Sequence, residues 1–163
     1  NPVIVNNMAI FGGTDHCACR NKNWWGKYVN VVDWRTERNK EIDSIKKYTR
    51  SGYFVIYSLH WGSNWHKDTS EIDEIRLFAR QLIRAGVRIF FGHGSHHLLP
   101  IEKYMNGVII YGLGESVADF AIDPDYESEK SALVNVDSET GNVKYYEIKR
   151  INSKFGGQIP IME

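Results

Sequence analysis

The sequence has no excess of either charge and no long apolar run, and each shortage excludes a class of protein. Lysine plus arginine number 20 and aspartate plus glutamate also number 20, so the formal net charge is zero. A protein that mainly coats nucleic acid or an anionic membrane carries a large positive excess, so nucleic acid is not an expected partner. No apolar run approaches the ~20 residues of a membrane-spanning helix, so no membrane span is expected.

Cysteine is also scarce, and aromatic residues are abundant. The two cysteines, Cys17 and Cys19, are separated by one residue, and a disulfide between such close neighbours would strain the backbone. We interpret the pair as two small buried side chains in preference to a metal clip. Aromatic residues make up 13% of the chain. Among them Trp24, Trp25 and Trp34 either form an aromatic wall for a polymer or pack against protein.

The length suits one folded unit. A chain of 163 residues can bury about two-thirds of its unfolded surface in a single core. We predict one domain over residues 1–155 and a loose tail over 156–163. The opening strand–turn–strand pattern, with Asn6 and Asn7 at the turn, suggests a chain that starts inside a domain.

Short apolar runs alternate with amphipathic segments along the chain. Strands are predicted at 3–5, 8–11, 53–59, 87–91 and 108–111, helices at 37–50 and 68–83, a helical turn at 101–104, and a hairpin at 131–150. Asp68 and Glu71 resemble a capping box at the start of the second helix, and Gly86 ends it. Strands alternating with helices indicate a layered α/β sheet.

Polar side chains follow four of the predicted strands. They are Asp15, His16, His60, His93, His96, His97 and Glu115, with His66 close by. In parallel α/β sheets, ligands bind beyond the carboxyl ends of the strands. Imidazole with carboxylate and amide oxygens is a ligand set for zinc, manganese, iron and related divalent ions. We therefore expect a site for a divalent metal at this edge of the sheet.

Two blocks carry a resemblance to a known family. "VIYSLHWGSNW" followed by "RIFFGHGSHHLLPIEKYMNGVIIYGLGESVADF" resembles the CapA family of poly-γ-glutamate capsule biosynthesis, a branch of the calcineurin-like metallophosphoesterases. The similarity covers about residues 3–120. It implies half of a four-layer αββα metallophosphoesterase sandwich. The "GD" and "NNH" blocks of the family's first half have no match here, so the chain resembles the second half of such a domain.

The resemblance also implies site roles. His60, His93 and His96 take the places of histidines around the metal centre and would hold a manganese, zinc or iron ion. They are therefore the expected catalytic residues, together with Glu115 as a ligand, a general base or a carboxylate at a helix start. Asn64 would lie near the reacting group, although the family usually has glutamate there.

Other departures from the family pattern concern Gly94, Leu99 and Gly112, which replace polar residues. A polar neighbourhood for substrate is still expected from three further side chains, and each has an alternative. Trp61 either contacts ligand or packs beside the site, and Asp15 either serves the site or bonds its own loop. His97 lies either behind the metal ligands or on the surface.

These observations favour a CapA-like domain that acts in synthesis, export or hydrolysis of poly-γ-glutamate or a similar anionic surface polymer. An attack on a phosphate ester and an attack on a γ-glutamyl amide remain equally open. The alternative is a non-catalytic polymer-binding or assembly subunit, or a cleaved fragment. In each case a missing amino-terminal half or a second copy would complete the site, and the family implies a cell-surface or secreted location.

Overall fold

A computed structural model describes residues 1–15, 30–65, 69–116, 122–140, 142–152 and 158–162. Its elements are β1 (Val3–Val5), β2 (Met8–Thr14), α1 (Arg38–Arg50), β3 (Phe54–His60), α2 (Thr69–Arg84), β4 (Val87–His93), β5 (Ile101–Tyr104), β6 (Gly107–Ile110), a 3-10 helix (Pro124–Tyr126), β7 (Lys130–Val136), β8 (Val143–Asn152) and β9 (Gln158–Met162). Within these ranges, no helix has the length and apolar character required to cross a bilayer.

The main sheet has six strands in the order β1-β2-β3-β4-β6-β5. Strands β2, β3, β4 and β6 run parallel, whereas β1 and β5 pair antiparallel at the two edges. Strands β7, β8 and β9 form a separate antiparallel sheet. The predicted mixed α/β architecture with a carboxyl-terminal hairpin is therefore confirmed. Because the four parallel strands share a direction, their carboxyl ends meet at one edge.

The helices cover one face of this sheet. Val55, Tyr57 and Leu59 alternate along β3 and are fully buried with Ile75 and Leu82 of α2. Alternation of period two in the strand and spacing of three to four in the helix place these side chains on facing surfaces. Each buried aliphatic side chain of this kind contributes roughly 1.5–3 kcal/mol to folding.

Two tyrosine hydroxyl groups donate to carboxylates that join the helices to the sheet. Tyr57 donates a hydrogen bond to Glu41 of α1 at 2.9 Å, and Tyr111 donates to Glu102 of β5 at 2.8 Å. Burial raises the pKa of both phenols, and the adjacent carboxylates raise it further. Arg80 of α2 donates to the same Glu102 at 2.7 Å, so this carboxylate joins α2 to the edge of the sheet.

The other face of the sheet carries a row of apolar residues that the helices do not cover. Val3, Ile10, Ile56 and Ile89 are successive register partners across β1, β2, β3 and β4. We name this row the open face. Val3 is 65% exposed, and the other three side chains are half-buried. Among the described residues, the open face is thus a surface of apolar side chains that water still reaches.

Most predicted elements are present, and two differ. The predicted turn at Asn6 is formed with a positive φ of 52°, and Gly86 (φ 106°) ends α2. The helical turn predicted at 101–104 is wrong, because these residues form strand β5. Their backbone groups pair with β6 across a two-residue turn at Met105, and this pairing decides the conformation.

Strand β9 lies inside the segment predicted as a loose tail, since Gln158–Met162 pairs with β8. The prediction of one domain over 1–155 stays a prediction. Several residues singled out in the sequence lie outside the described part of the chain: His16, Cys17, Cys19, Trp24, Trp25, His66 and Asp68.

Candidate functional site

A cavity of about 630 Å³ lies at the carboxyl edge of the parallel strands, on the side of the open face. Its walls include Gly12 and Thr14 of β2, Ser58 and His60 of β3, and His93 of β4. Thr14 is the register partner of His60, and His60 is the register partner of His93. Because partners on neighbouring strands point to the same face, parallel pairing alone brings these side chains to one place.

The two histidines are in direct contact inside this cavity. The ring centroids of His60 and His93 lie 5.4 Å apart, with an interplanar angle of 71°. Gly94 permits this arrangement, because a Cβ atom there would lie 3.0 Å from Nε2 of His60, and its φ of 113° also favours glycine. Of the three histidines predicted to converge, His60, His93 and His96, this contact brings the first two together.

Ser58 completes this group. Its hydroxyl oxygen lies 3.1 Å from Nε2 of His93, within hydrogen-bond distance. Burial lowers the pKa of His93 below its ordinary value, and the neighbouring His60 lowers it further. The imidazole of His93 is thus held in its neutral form at neutral pH, which is the form that can accept a proton or bind a cation.

His96 belongs to a second group. Nδ1 of His96 lies 3.2 Å from Oε1 of Glu115, and the backbone amide of His96 donates to the carbonyl oxygen of Asn64 at 2.9 Å. The ring of Trp65 packs against His96, with centroids 5.3 Å apart. The structure thus brings together His96, Glu115 and the backbone of Asn64.

A metal ion needs more ligands than the pair of imidazoles supplies. Within the described residues, no three side chains of histidine, cysteine, aspartate or glutamate are placed to hold one ion. A catalytic zinc ion takes three protein ligands, so the pair of imidazoles does not form a complete site by itself. The predicted metal site of His60, His93 and His96 stays a prediction that requires further ligands.

Asp15 makes structural contacts. Its carboxylate accepts hydrogen bonds from Nε1 of Trp34 at 2.6 Å and from the amide of Gly62 at 3.1 Å. Arg35 lies nearby, 3.9 Å from the carboxylate. Trp34 itself is buried and stacks on Phe78, so it belongs to the core. These contacts correspond to the loop-bonding alternative for Asp15, and its role toward substrate stays a prediction.

Trp61 and His97 are also packed against protein. Trp61 is fully buried, and its Nε1 donates to the carbonyl oxygen of Tyr111 at 2.9 Å. His97 is buried and lies parallel to the ring of Trp65, with centroids 6.2 Å apart. Tyr126 packs against both rings, at 4.7 Å from Trp65 and 5.0 Å from His97. For Trp61 these contacts support packing beside the site, and for His97 the burial supports the position behind the metal ligands over the surface.

Sequence reasoning missed three residues of this region. Ser58 was detectable, because it lies two residues before His60 on a strand and therefore on the same face. Trp65 and Tyr126 gave no such signal, since they come together from loops far apart in the sequence. Their contact places the 3-10 helix beside His96 and His97.

The fold and the cavity define a class: an α/β protein in which the ends of parallel strands bring histidines together. Residues 9–120 match the family described as bacterial capsule synthesis protein PGA_cap, and the chain belongs to this family. The resemblance to CapA proteins is thereby confirmed.

The chain is similar to several curated proteins. It is 44% identical over 84 residues to a probable polyglutamine synthesis accessory protein of Mycobacterium tuberculosis, covering 52% of this chain and 22% of the relative. It is 37% identical over 78 residues to the PGA biosynthesis protein CapA of Bacillus subtilis, covering 48% and 20%. It is 28% identical over 108 residues to the capsule biosynthesis protein CapA of Bacillus anthracis, covering 66% of this chain and 25% of the relative. The matches thus span about a fifth to a quarter of these relatives.

Proposed function

We propose that this chain is part of a protein that synthesises, exports or hydrolyses poly-γ-glutamate or a similar anionic polymer. In this proposal the cavity at Ser58, His60 and His93 binds a segment of that polymer. The family and the names of the relatives support the polymer. The single observation that carries the site is the contact of two imidazoles at a cavity of about 630 Å³.

The residues present supply proton transfer and hydrogen bonding. A neutral His93 can accept a proton from a water molecule that attacks a phosphoryl group or a γ-glutamyl carbonyl group. Ser58 holds the ring of His93 through Nε2, and the ring of His60 packs edge-on against the ring of His93. A phosphorylated substrate and a γ-glutamyl amide are both compatible with this chemistry.

A manganese, zinc or iron ion enters the proposal only with additional ligands. The described residues supply two imidazoles at the cavity, and Glu115 is engaged with His96. The remaining ligands would come from an amino-terminal half of the domain or from a second copy. The open face supports such a partner, because Val3 exposes 65% of its surface beside the same cavity.

The second candidate is a non-catalytic subunit that binds the polymer or assembles with other protein. The observation in its favour is that no complete metal-ligand cluster occurs within the described ranges. The apolar open face also fits a role in assembly, because burying it against protein would be favourable.

One experiment separates the two candidates. The purified chain is incubated with a γ-glutamyl polymer or a phosphodiester, with manganese, zinc or no added metal, and both binding and product are measured. The variants His60→Asn and His93→Asn are compared with Lys40→Gln, a change on the exposed surface of α1.

For an enzyme, the histidine variants lose turnover while Lys40→Gln retains it. Binding without turnover under every condition, weakened by the same variants, supports the second candidate. If the chain neither binds nor cleaves either substrate, an enzyme and a polymer-binding subunit are both wrong for this part of the protein, and only assembly with other protein is left.

A further inference from the structure

A second cavity, of about 160 Å³, lies at the opposite end of the parallel strands. It is lined by Arg88 near the start of β4, by Lys103 of β5, by Asn106 of the turn that leads into β6, and by Gly107 at the start of β6. Thr140, from the turn between β7 and β8, closes one side. This cavity shares no lining residue with the histidine cavity.

Two cations face this cavity from strands that flank β6. Lys103 is the register partner of Val108, and Val108 is the register partner of Ile89, which follows Arg88 directly. Neighbouring strands lie about 4.8 Å apart, so the two backbones are roughly 10 Å from each other. Long side chains reaching over β6 can therefore contact one small ligand between them.

Neither cation has a carboxylate partner among the residues that the structure describes. Some other arginine side chains do: Arg35 pairs with Glu71 and Glu74, and Arg80 pairs with Glu102. The positive charges of Arg88 and Lys103 are therefore available to an anion in the cavity.

Arg88 carries the stronger evidence. Its Nε atom is buried and makes no hydrogen bond to any described residue. Leaving such a donor without a partner costs about 1–3 kcal/mol, and more for a charged group. Folded proteins satisfy nearly all buried donors, so an unsatisfied one calls for an explanation. An anion held by the terminal N–H groups of Arg88 would offset part of this cost by stabilising the charge, since Nε itself is closed to solvent.

The geometry of Arg88 also suits an anion. Its guanidinium group lies over the ring of Phe54, 5.5 Å from the centroid. Such an aromatic contact supports the group through its flat face and leaves the N–H groups at its edge for a ligand. A planar edge of N–H donors is the arrangement that binds carboxylate or phosphate through two parallel hydrogen bonds.

We propose that the cavity between Arg88 and Lys103 is a binding site for an oxyanion, either a carboxylate or a phosphate group. Its volume of about 160 Å³ exceeds the roughly 10–15 Å³ that one water molecule needs, so such a group fits. The site does not depend on the function proposed for the histidine cavity. It would hold an anionic group at the amino end of the strands while the histidines act at the other end.

The test uses the isotope-labelled chain and two probes, inorganic phosphate and the dipeptide γ-glutamylglutamate. Amide chemical shifts are followed during titration at low salt. The amides of Asn106, Gly107 and Val108 are expected to shift, and binding is expected to weaken as sodium chloride is added. If only the dipeptide saturates the site, the site binds carboxylates. If only phosphate saturates it, the site binds phosphate. If both probes saturate it, the site binds oxyanions in general.

Variants assign the effect to the two cations. Arg88→Gln should raise the dissociation constant roughly tenfold, because a charge-assisted hydrogen bond is lost. Arg88→Lys should recover only part of the affinity, since an ammonium group lacks the bidentate edge. Lys103→Gln, on an exposed edge strand, tests the site if changes at Arg88 prevent folding. Lys40→Gln is the matched control and should bind like the parent chain.

The proposal is overturned if neither probe shifts the turn amides. It is equally overturned if Lys103→Gln and Lys40→Gln bind both probes as the parent chain does.

Discussion

The hydroxyl oxygen of Ser58 lies 3.1 Å from Nε2 of His93, and this contact decides how the histidine can act. An imidazole ring has two nitrogen atoms, and one of them is engaged here. A ligand or water that uses His93 must therefore either bind through Nδ1 or displace the serine hydroxyl. Five predictions concern this contact and the packing around it, besides the two proposals above.

Replacing Ser58 should change the protonation pattern of the His93 ring without changing the fold. Ser58→Val removes the hydroxyl group, whereas Ser58→Thr keeps it, and both residues are favoured in strands. We expect the ring nitrogen resonances of His93 to move in Ser58→Val and to stay near the parent values in Ser58→Thr. Nitrogen-15 spectra of the histidine side chains measure this. Equal spectra for the two variants would show that the hydroxyl group does not determine the protonation pattern of the His93 ring.

Stability should fall with acidity in a way that depends on His93. The folded-state pKa of His93 is lowered, so below about pH 6.5 the unfolded chain binds a proton that the folded chain resists. This part of the stability is fully present above pH 6.5 and is lost as the pH falls toward the lowered folded-state value. Urea unfolding at pH 8, 7, 6 and 5 should show a shallower pH dependence for His93→Gln than for the parent chain. Identical slopes would contradict the buried, neutral state of this histidine.

Gly92 should tolerate no side chain. A Cβ atom there would lie 2.5 Å from Nε1 of Trp61 and 2.5 Å from the carbonyl oxygen of Tyr111, which are joined by a hydrogen bond. Gly92→Ala should therefore lower the free energy of unfolding by about 3 kcal/mol, through overpacking and loss of that bond. Gly12→Ala is the control, since nothing lies within 4 Å of its Cβ position, and it should stay within about 0.5 kcal/mol. A similar stability for both variants would contradict the packing of Trp61.

The carboxylate of Asp15 should stabilise the folded chain. Asp15→Asn weakens the bonds from the Trp34 indole and the Gly62 amide, so we expect a loss of about 1–2 kcal/mol in urea unfolding. Asp43→Asn, which affects an exposed ion pair on α1, should change little. If Asp15→Asn retains full stability and loses polymer binding, the substrate-binding interpretation is correct instead.

Trp65 should hold the 3-10 helix at Pro124–Tyr126 in place. Trp65→Ala removes its ring contacts with His96, His97 and Tyr126, and should increase hydrogen exchange in this helix. Trp65→Phe retains an aromatic ring and should show a smaller increase. Unchanged exchange in Trp65→Ala would mean that other contacts hold this helix.

The sequence by itself determined the strands of the parallel sheet, both helices and the location of the candidate site. The physical reason is periodicity: in a strand, side chains alternate between faces, so Ser58 and His60 must share a face. Parallel neighbours end at the same edge, so His60 and His93 could be expected together. The family resemblance rests on the same local blocks, which explains why it was correct without any coordinates.

Only the tertiary structure decided what the loops do. His96 contacts Glu115 and Trp65, and nothing periodic in a loop predicts these contacts. Strand β5 depends on pairing with β6 and not on its own four residues. The Nε atom of Arg88 has no hydrogen-bond partner among the described residues, and this too is invisible in a sequence, because it results from which side chains the folded chain brings within reach. Contacts between distant segments set these features, and local propensity carries no information about them.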